Sequence, residues 1–141
     1  MKKLIIYAFI IMVIVFLGIQ FIPVNLSNPP VGEEINAPDA VKQILVESCY
    51  DCHSNKTKWP WYNKIAPISW VIKKDVINGR SNMNFTEWDK YKSIEQDMKE
   101  MILEAIKEDR MPPLLYQLGH PSAKLTEEEM DIIEKWAKSE L

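Results

Sequence analysis

The chain has little cysteine, glycine or histidine: two, four and two residues in 141. Four scattered glycines build no Gly-rich phosphate loop, which excludes the common nucleotide-binding designs. Two cysteines cannot form the disulfide framework that holds many small exported domains together. No serine–histidine–acid arrangement can be assembled from the chain, and no second cluster of metal-ligating side chains stands elsewhere. An excess of basic charge is also missing, since 17 Lys and Arg face 20 Asp and Glu for a formal charge of −3. Lys2 and Lys3 fall in the first 22 residues, so the remainder is more acidic still. No basic cluster with interleaved aromatics stands out against that balance, and nucleic acid is not expected as a partner. Alternating apolar runs are absent too, as are internal repeats and low-complexity stretches.

What is present begins with those two cysteines, which share one string: Cys49-Tyr50-Asp51-Cys52-His53. This is C-x-x-C-H, the attachment pattern of c-type haem. Two thiols at this spacing lie on one side of a helical turn and can each form a thioether with a vinyl group on one porphyrin edge. A histidine directly after the second thiol is then held under the ring, where its imidazole can bind the iron. The same two cysteines could instead be a thiol–disulfide pair, or part of a zinc site completed by His120 or an acid. The redox-thiol reading needs a thioredoxin-like βαβ pattern, for which the strands are lacking.

Leu4 to Ile22 is a 19-residue stretch without charge, in which Gln20 is the strongly polar member. At 1.5 Å per residue it nearly matches the roughly 30 Å of bilayer hydrocarbon. Bulky residues follow where a signal peptidase requires small ones. An uncleaved signal-anchor helix over residues 1–22 is therefore expected, with Lys2 and Lys3 cytoplasmic and the rest of the chain periplasmic or otherwise outside the cytoplasm. Haem is attached covalently on that side of the bacterial membrane. Residues 23–37 hold three prolines, three asparagines and one glycine. They read as an extended tether that lifts the domain clear of the lipid.

The domain proper, residues 38–141, reads as all-α. One helix carries Val41, Ile44 and Leu45 directly into the C-x-x-C-H string. A second spans Ile68 to Ile77, with Asn78-Gly79 as its stop. A third covers Ser93 to Glu108, with Ile94, Met98, Met101, Ile102, Ala105 and Ile106 along one face. The fourth opens on a capping box, Thr126 with Glu129, and continues through Met130, Ile133, Trp136 and Ala137. So few residues make a small core, and a buried porphyrin would add to it, so the haem-free domain is expected to be loosely folded.

A haem iron bound by His53 has a second axial position. Met111, in Arg110-Met111-Pro112-Pro113, is the favoured candidate, because two prolines stiffen the approach of its thioether. A His/Met pair raises the potential and suits electron transfer. His120, in Gly119-His120-Pro121, is the competitor, as a ligand or as a turn residue. Met83, Met98 and Met101 are weaker candidates, the last two lying on an apolar helical face. Trp59, Trp61, Tyr62, Trp70 and Trp88 are read either as a haem-pocket wall with a propionate-binding indole or as ordinary core. Arg80 is a propionate partner or a solvated side chain, and Lys56 and Lys58 are expected to be exposed.

Taken together, these residues resemble the bacterial haem-binding domain family. The likeness runs through Cys49 to Asn55, Thr57, Trp59 to Tyr62, Ile65 to Trp70, Gly79-Arg80, Asn84 to Trp88, Met111-Pro112 and His120-Pro121, covering nearly all of the soluble part. The resemblance implies one covalently bound haem c and a cytochrome c-like fold. It implies attachment through Cys49, Cys52 and His53, and a role for Met111-Pro112. It does not imply a defined reaction. The leading expectation is a membrane-anchored, non-enzymatic monohaem electron carrier with a redox protein partner. The alternative is a haem-based sensor or ligand-binding module whose sixth position is open or weakly held.

Overall fold

Residues with helical apolar spacing do form helices, and no strand occurs among the described residues, so the chain is all-α. The computed structural model describes residues 1–140; Leu141, the last residue of the expected 38–141 domain, lies outside them. Helix α1 (Lys2–Ile19) has 18 residues, a mean hydropathy of 2.4 and no buried side chain. It is long and apolar enough to cross a membrane, a test that an N-terminal signal sequence also passes. Gln20 follows Ile19 as the cap residue, its backbone still helical. Gln20 Nε2 donates back to the Phe16 carbonyl (2.9 Å) and across to the Ala66 carbonyl (3.0 Å). The Ala66 N–H in turn donates to Gln20 Oε1 at 2.9 Å.

The segment expected as a tether is extended, yet from Asn28 onward it lies along the domain instead of spacing it. Its prolines forbid helix, and the backbone groups they leave free find partners in residues 85–88. Gly32 N–H donates to Thr86 O (2.9 Å), Ile35 N–H to Phe85 O (2.7 Å), and Trp88 N–H to Glu33 O (2.8 Å). Ile35 is driven into the core, where it is 2 % exposed. The Asn55 side chain donates to Pro30 O, and Asn28 bonds both Thr57 and Arg80.

Helix α2 (Asp39–Ser48) buries Val41, Ile44 and Leu45 as its spacing predicts. It leads through Cys49 into the single turn α3 (Tyr50–His53). A 3-10 turn (Trp61–Lys64) precedes α4 (Ile68–Asn82), and another (Trp88–Ile94) precedes α5 (Glu95–Lys107). Then come α6 (Leu114–Gly119), a 3-10 turn (Pro121–Ala123) and α7 (Glu127–Ala137). The capping box at α7 is formed in full: Glu129 N–H donates to Thr126 Oγ1 at 3.2 Å and Thr126 N–H to Glu129 Oε2 at 2.8 Å.

Helices α5 and α7 pack on each other, and α2 packs on α7. Their apolar faces share one core with the aromatic group Tyr50, Phe85 and Trp88, in which Tyr50 and Phe85 stack at 5.5 Å. Each fully buried Leu or Ile here stabilises the fold by roughly 1.5–3 kcal/mol. Two expectations need correction. Ile94 and Met101 are 45 % and 50 % exposed, because the 3-10 lead-in rotates the first and the second falls off the narrower face of Met98, Ile102 and Ile106. Asn78-Gly79 does not stop α4, which continues to Asn82.

Candidate haem site

Gly79 is where it is because α3 packs directly on α4. A Cβ at Gly79 would stand 2.4 Å from the Cys52 carbonyl oxygen and 3.1 Å from Cys52 Cβ. The glycine that looks like a helix stop is therefore a contact point, letting the C-x-x-C-H turn touch the backbone of α4. The turn is rooted from the other side by its own second residue, since Tyr50 is 4 % exposed within the core.

Cys49 and Cys52 are half-buried and free, with no disulfide between them. Burial pushes the Cys49 thiol up to about 12, and the neighbouring Cys52 adds to this. Burial, with the charges of Asp51 and Asp75, pushes Cys52 to about 11 against the opposing effect of Arg80. Both are neutral thiols at neutral pH. Catalytic redox cysteines need the reverse, a depressed value that exposes thiolate. That electrostatic setting and the missing strands together set the thiol–disulfide reading aside.

His53 is oriented by a backbone group. Its Nδ1 lies 3.0 Å from the Met83 carbonyl, an acceptor only, so Nδ1 carries the proton and Nε2 keeps its lone pair for a metal. Burial lowers the His53 value below that of ordinary histidine, with the carbonyls of Met83 and Gly79 partly opposing, so the ring is neutral at neutral pH. The Met83 carbonyl is held in turn by its surroundings. Phe85 N–H donates to His53 O (2.8 Å), and Asn84 Nδ2 donates to Asn55 Oδ1 (2.9 Å). Thr86 Oγ1 donates to Asn84 Oδ1 and accepts from Asn55 N–H, both at 2.8 Å. This network staples the loop after His53 to residues 84–86.

Arg80 belongs to the same staple. Its Nε donates to Ser54 O and its Nη2 to Thr57 Oγ1 and Asn28 Oδ1, each at 2.8 Å. It is not the solvated arginine of the sequence reading, since Nε and Nη2 are both committed to the staple. The tryptophans divide. Trp88 is core at 2 % exposed, whereas Trp61 is 79 % exposed. Trp59 is half-buried and its indole Nε1–H, buried without a partner, is a donor left over near the site's loop. Lys56 and Lys58 are exposed, Lys56 pairing with Glu34.

Met111 follows α5 in a turn held by its own N–H to Ala105 O (3.1 Å), and its side chain is 38 % exposed. The helix after it, α6, is joined to the C-x-x-C-H turn by Tyr116 Oη donating to Asp51 Oδ2 at 2.8 Å. Burial and that carboxylate raise the Tyr116 phenol far above its ordinary value, so it stays a donor. His120 stacks on Tyr116 at 4.2 Å, with Nδ1 3.2 Å from the Tyr116 carbonyl. Both candidates for the sixth position thus lie on the stretch that Asp51 ties down. Sequence reasoning weighed Met83 only as a weak axial ligand and missed its role, because the group at work is its backbone carbonyl, which leaves no side-chain signal. It also missed Asp51, for which the C-x-x-C-H string carried no signal of a distant partner.

These donors fit a haem: two neutral thiols and an imidazole with Nε2 free, on one turn, with an unpartnered indole donor close by in sequence. They fit zinc poorly, because among the described residues no three His, Cys, Asp or Glu groups converge in a metal-holding arrangement. The sequence pattern of the haem-binding domain family matches residues 14–139. The chain belongs to the haem-binding domain family. The match begins inside α1, so Gln20 and the docked segment 23–37 fall within the stretch the family shares. No curated protein and no solved structure matches the chain. Membership supports a haem-binding module, and names no reaction.

Proposed function

We propose that this family member is a membrane-anchored, extracytoplasmic monohaem protein of the c type that carries one electron between protein partners. One observation supports it above the rest: His53 Nδ1 is spent on the Met83 carbonyl, which leaves Nε2 as the proximal ligand on the same turn as two free, neutral thiols. Cys49 and Cys52 would hold the porphyrin edge, and Met111 the sixth position. A bound haem supplies the one-electron iron couple. The chain's part is to orient His53 through Met83, to anchor α6 through Asp51 and Tyr116, and to cover the ring with apolar side chains. Helix α6 suits the last task, since Leu114, Leu115 and Leu118 are each more than 70 % exposed and bury nothing against protein. Helix α1 is the anchor.

Absorption spectra of protein made with the haem-attachment machinery test this reading. A pyridine derivative of the thioether type, together with the red charge-transfer band of ferric haem with a thioether ligand, is expected. Met111→Ala should abolish that band and His120→Ala should leave it. A band that survives Met111→Ala refutes the assignment of the sixth ligand, and haem extractable by acid acetone refutes covalent attachment. The second reading is a ligand-binding module with an open or weakly held sixth position. Carbon monoxide binding to the reduced wild type would select it.

A further inference from the structure

The overall acidity of the chain hides a local reversal. From Lys56 to Lys74 there are five lysines and no Asp or Glu, interleaved with Trp59, Trp61, Tyr62 and Trp70. This corrects the sequence reading that no basic cluster with aromatics exists. Lys58, Lys64 and Lys74 are exposed, and among the described residues neither they nor Lys73 make an ion pair. The same stretch exposes large apolar side chains: Trp61 at 79 %, Ile68 at 47 %, Val71 at 53 % and Trp70 at 36 %. Unpaired lysines beside exposed tryptophan are the composition of a surface that sits among lipid headgroups.

The end of α1 meets this surface. Gln20 exchanges two hydrogen bonds with the backbone of Ala66, between the 3-10 turn that carries Trp61 and the first turn of α4 that carries Ile68. Phe21 and Ile22, next in the chain, are themselves 87 % and 52 % exposed. A helix that leaves the bilayer at residue 20 therefore delivers residues 58–74 to the headgroup layer. We propose that residues 58–74 form a membrane-contact face that lays the haem domain on the anionic surface of the bilayer crossed by α1. The occupant is lipid, because the face is continuous with the span and carries the charge that complements anionic headgroups. The inference rests on the reading of α1 as an anchor. Its consequence is that the domain keeps one orientation to the membrane, so that partners meet it from the lipid-distal side.

The test uses the full chain, haem attached, in nanodiscs of phosphatidylcholine and phosphatidylglycerol that include a lipid with a diazirine at its headgroup. After irradiation, adducts are mapped by proteolysis and mass spectrometry. Adducts are expected in peptides covering 58–74 and at the end of α1, with none in α7. Lys64→Gln with Lys74→Gln, both on the surface, should cut the 58–74 adducts several-fold and leave those of α1 unchanged. Trp61→Ser should do the same, with an unaltered Soret band showing that the domain is intact. Discs of phosphatidylcholine alone should also lower the 58–74 signal. Adducts confined to α1 would overturn the contact face and leave the anchor standing. Absence of adducts from α1 as well would overturn the anchor itself, and the contact face with it.

Discussion

Helices α2, α5 and α7 each bury three or more residues of the shared core, whereas α6 buries none and α4 buries only Ser69, Val76 and Gly79. The first group is closed by protein alone: Val41, Leu45, Ile133 and Ala137 are fully inaccessible. The second group surrounds the C-x-x-C-H turn and is held mainly by hydrogen bonds, through Arg80, Asn84, Thr86 and the Tyr116–Asp51 pair. Its apolar side chains, Met111 and the three leucines of α6, face outward. The difference fits the proposed haem site on the second half. A half that packs on itself has no use for a cofactor, while a half rich in directional bonds and poor in buried area gains most from a large flat apolar body.

Truncation should separate the halves most sharply. Leu45→Ala is expected to destabilise the protein by about 2–5 kcal/mol in chemical denaturation, whether or not haem has been attached. Leu115→Ala should be near neutral, within about 0.5 kcal/mol, in haem-free protein, as for an ordinary surface site. With haem attached it should cost clearly more. An equal effect of Leu115→Ala in both forms would break the comparison, because α6 would then have no cofactor to cover.

A smaller effect is expected where the two halves are joined. Gly79→Ala places a methyl group 2.4 Å from the Cys52 carbonyl, a rigid neighbour that cannot swing aside. The turn must shift from α4, at a cost of about 1–3 kcal/mol. The yield of covalent haem should fall, as read by haem staining against total protein. Unchanged yield and stability would mean that α3 does not depend on that contact.

The smallest effect lies on the surface of the closed half. Lys107 and Lys138 hold the Glu134 carboxyl down at about 2, and Lys107 reaches it from the end of α5, so the pair ties α5 to α7. Because the folded value is lowered, the contribution is present above the ordinary value of 4.5 and is lost as pH falls toward about 2. Glu134→Gln should remove that part of the acid sensitivity. The group is exposed, so added salt should shrink the difference between wild type and variant. A difference that grows with salt would contradict the pairing.

The parts of the fold legible in the sequence are those governed by local spacing. The apolar stripe of α2, the capping box of α7 and the apolar run of α1 each depend on residues within one or two turns, and each forms where its pattern lies. The reading failed where a distant contact decided the outcome. Gly79 looked like a helix end because glycine often is one, and only the Cys52 carbonyl explains its place inside α4. Residues 28–35 looked like a spacer because proline-rich chain carries no period, yet their backbone groups pair with residues 85–88. Helix α6 went unread because six residues are too few to show a repeat.

By itself, the sequence determined the chemistry on offer: two thiols and an imidazole on one turn, an apolar N-terminal helix, and an all-helical domain. These follow from short-range rules of spacing and composition, which the chain carries wherever it goes. Only the tertiary structure decided how that chemistry is aimed. It chose the Met83 carbonyl as the partner of His53 Nδ1, Asp51 as the mooring of α6, and Ala66 as the point where α1 grips the domain. The physical reason is that two of these contacts use a backbone carbonyl, which every residue has. The third joins Asp51 to Tyr116, side chains distant in the chain. Folding alone brings such groups within reach of one another.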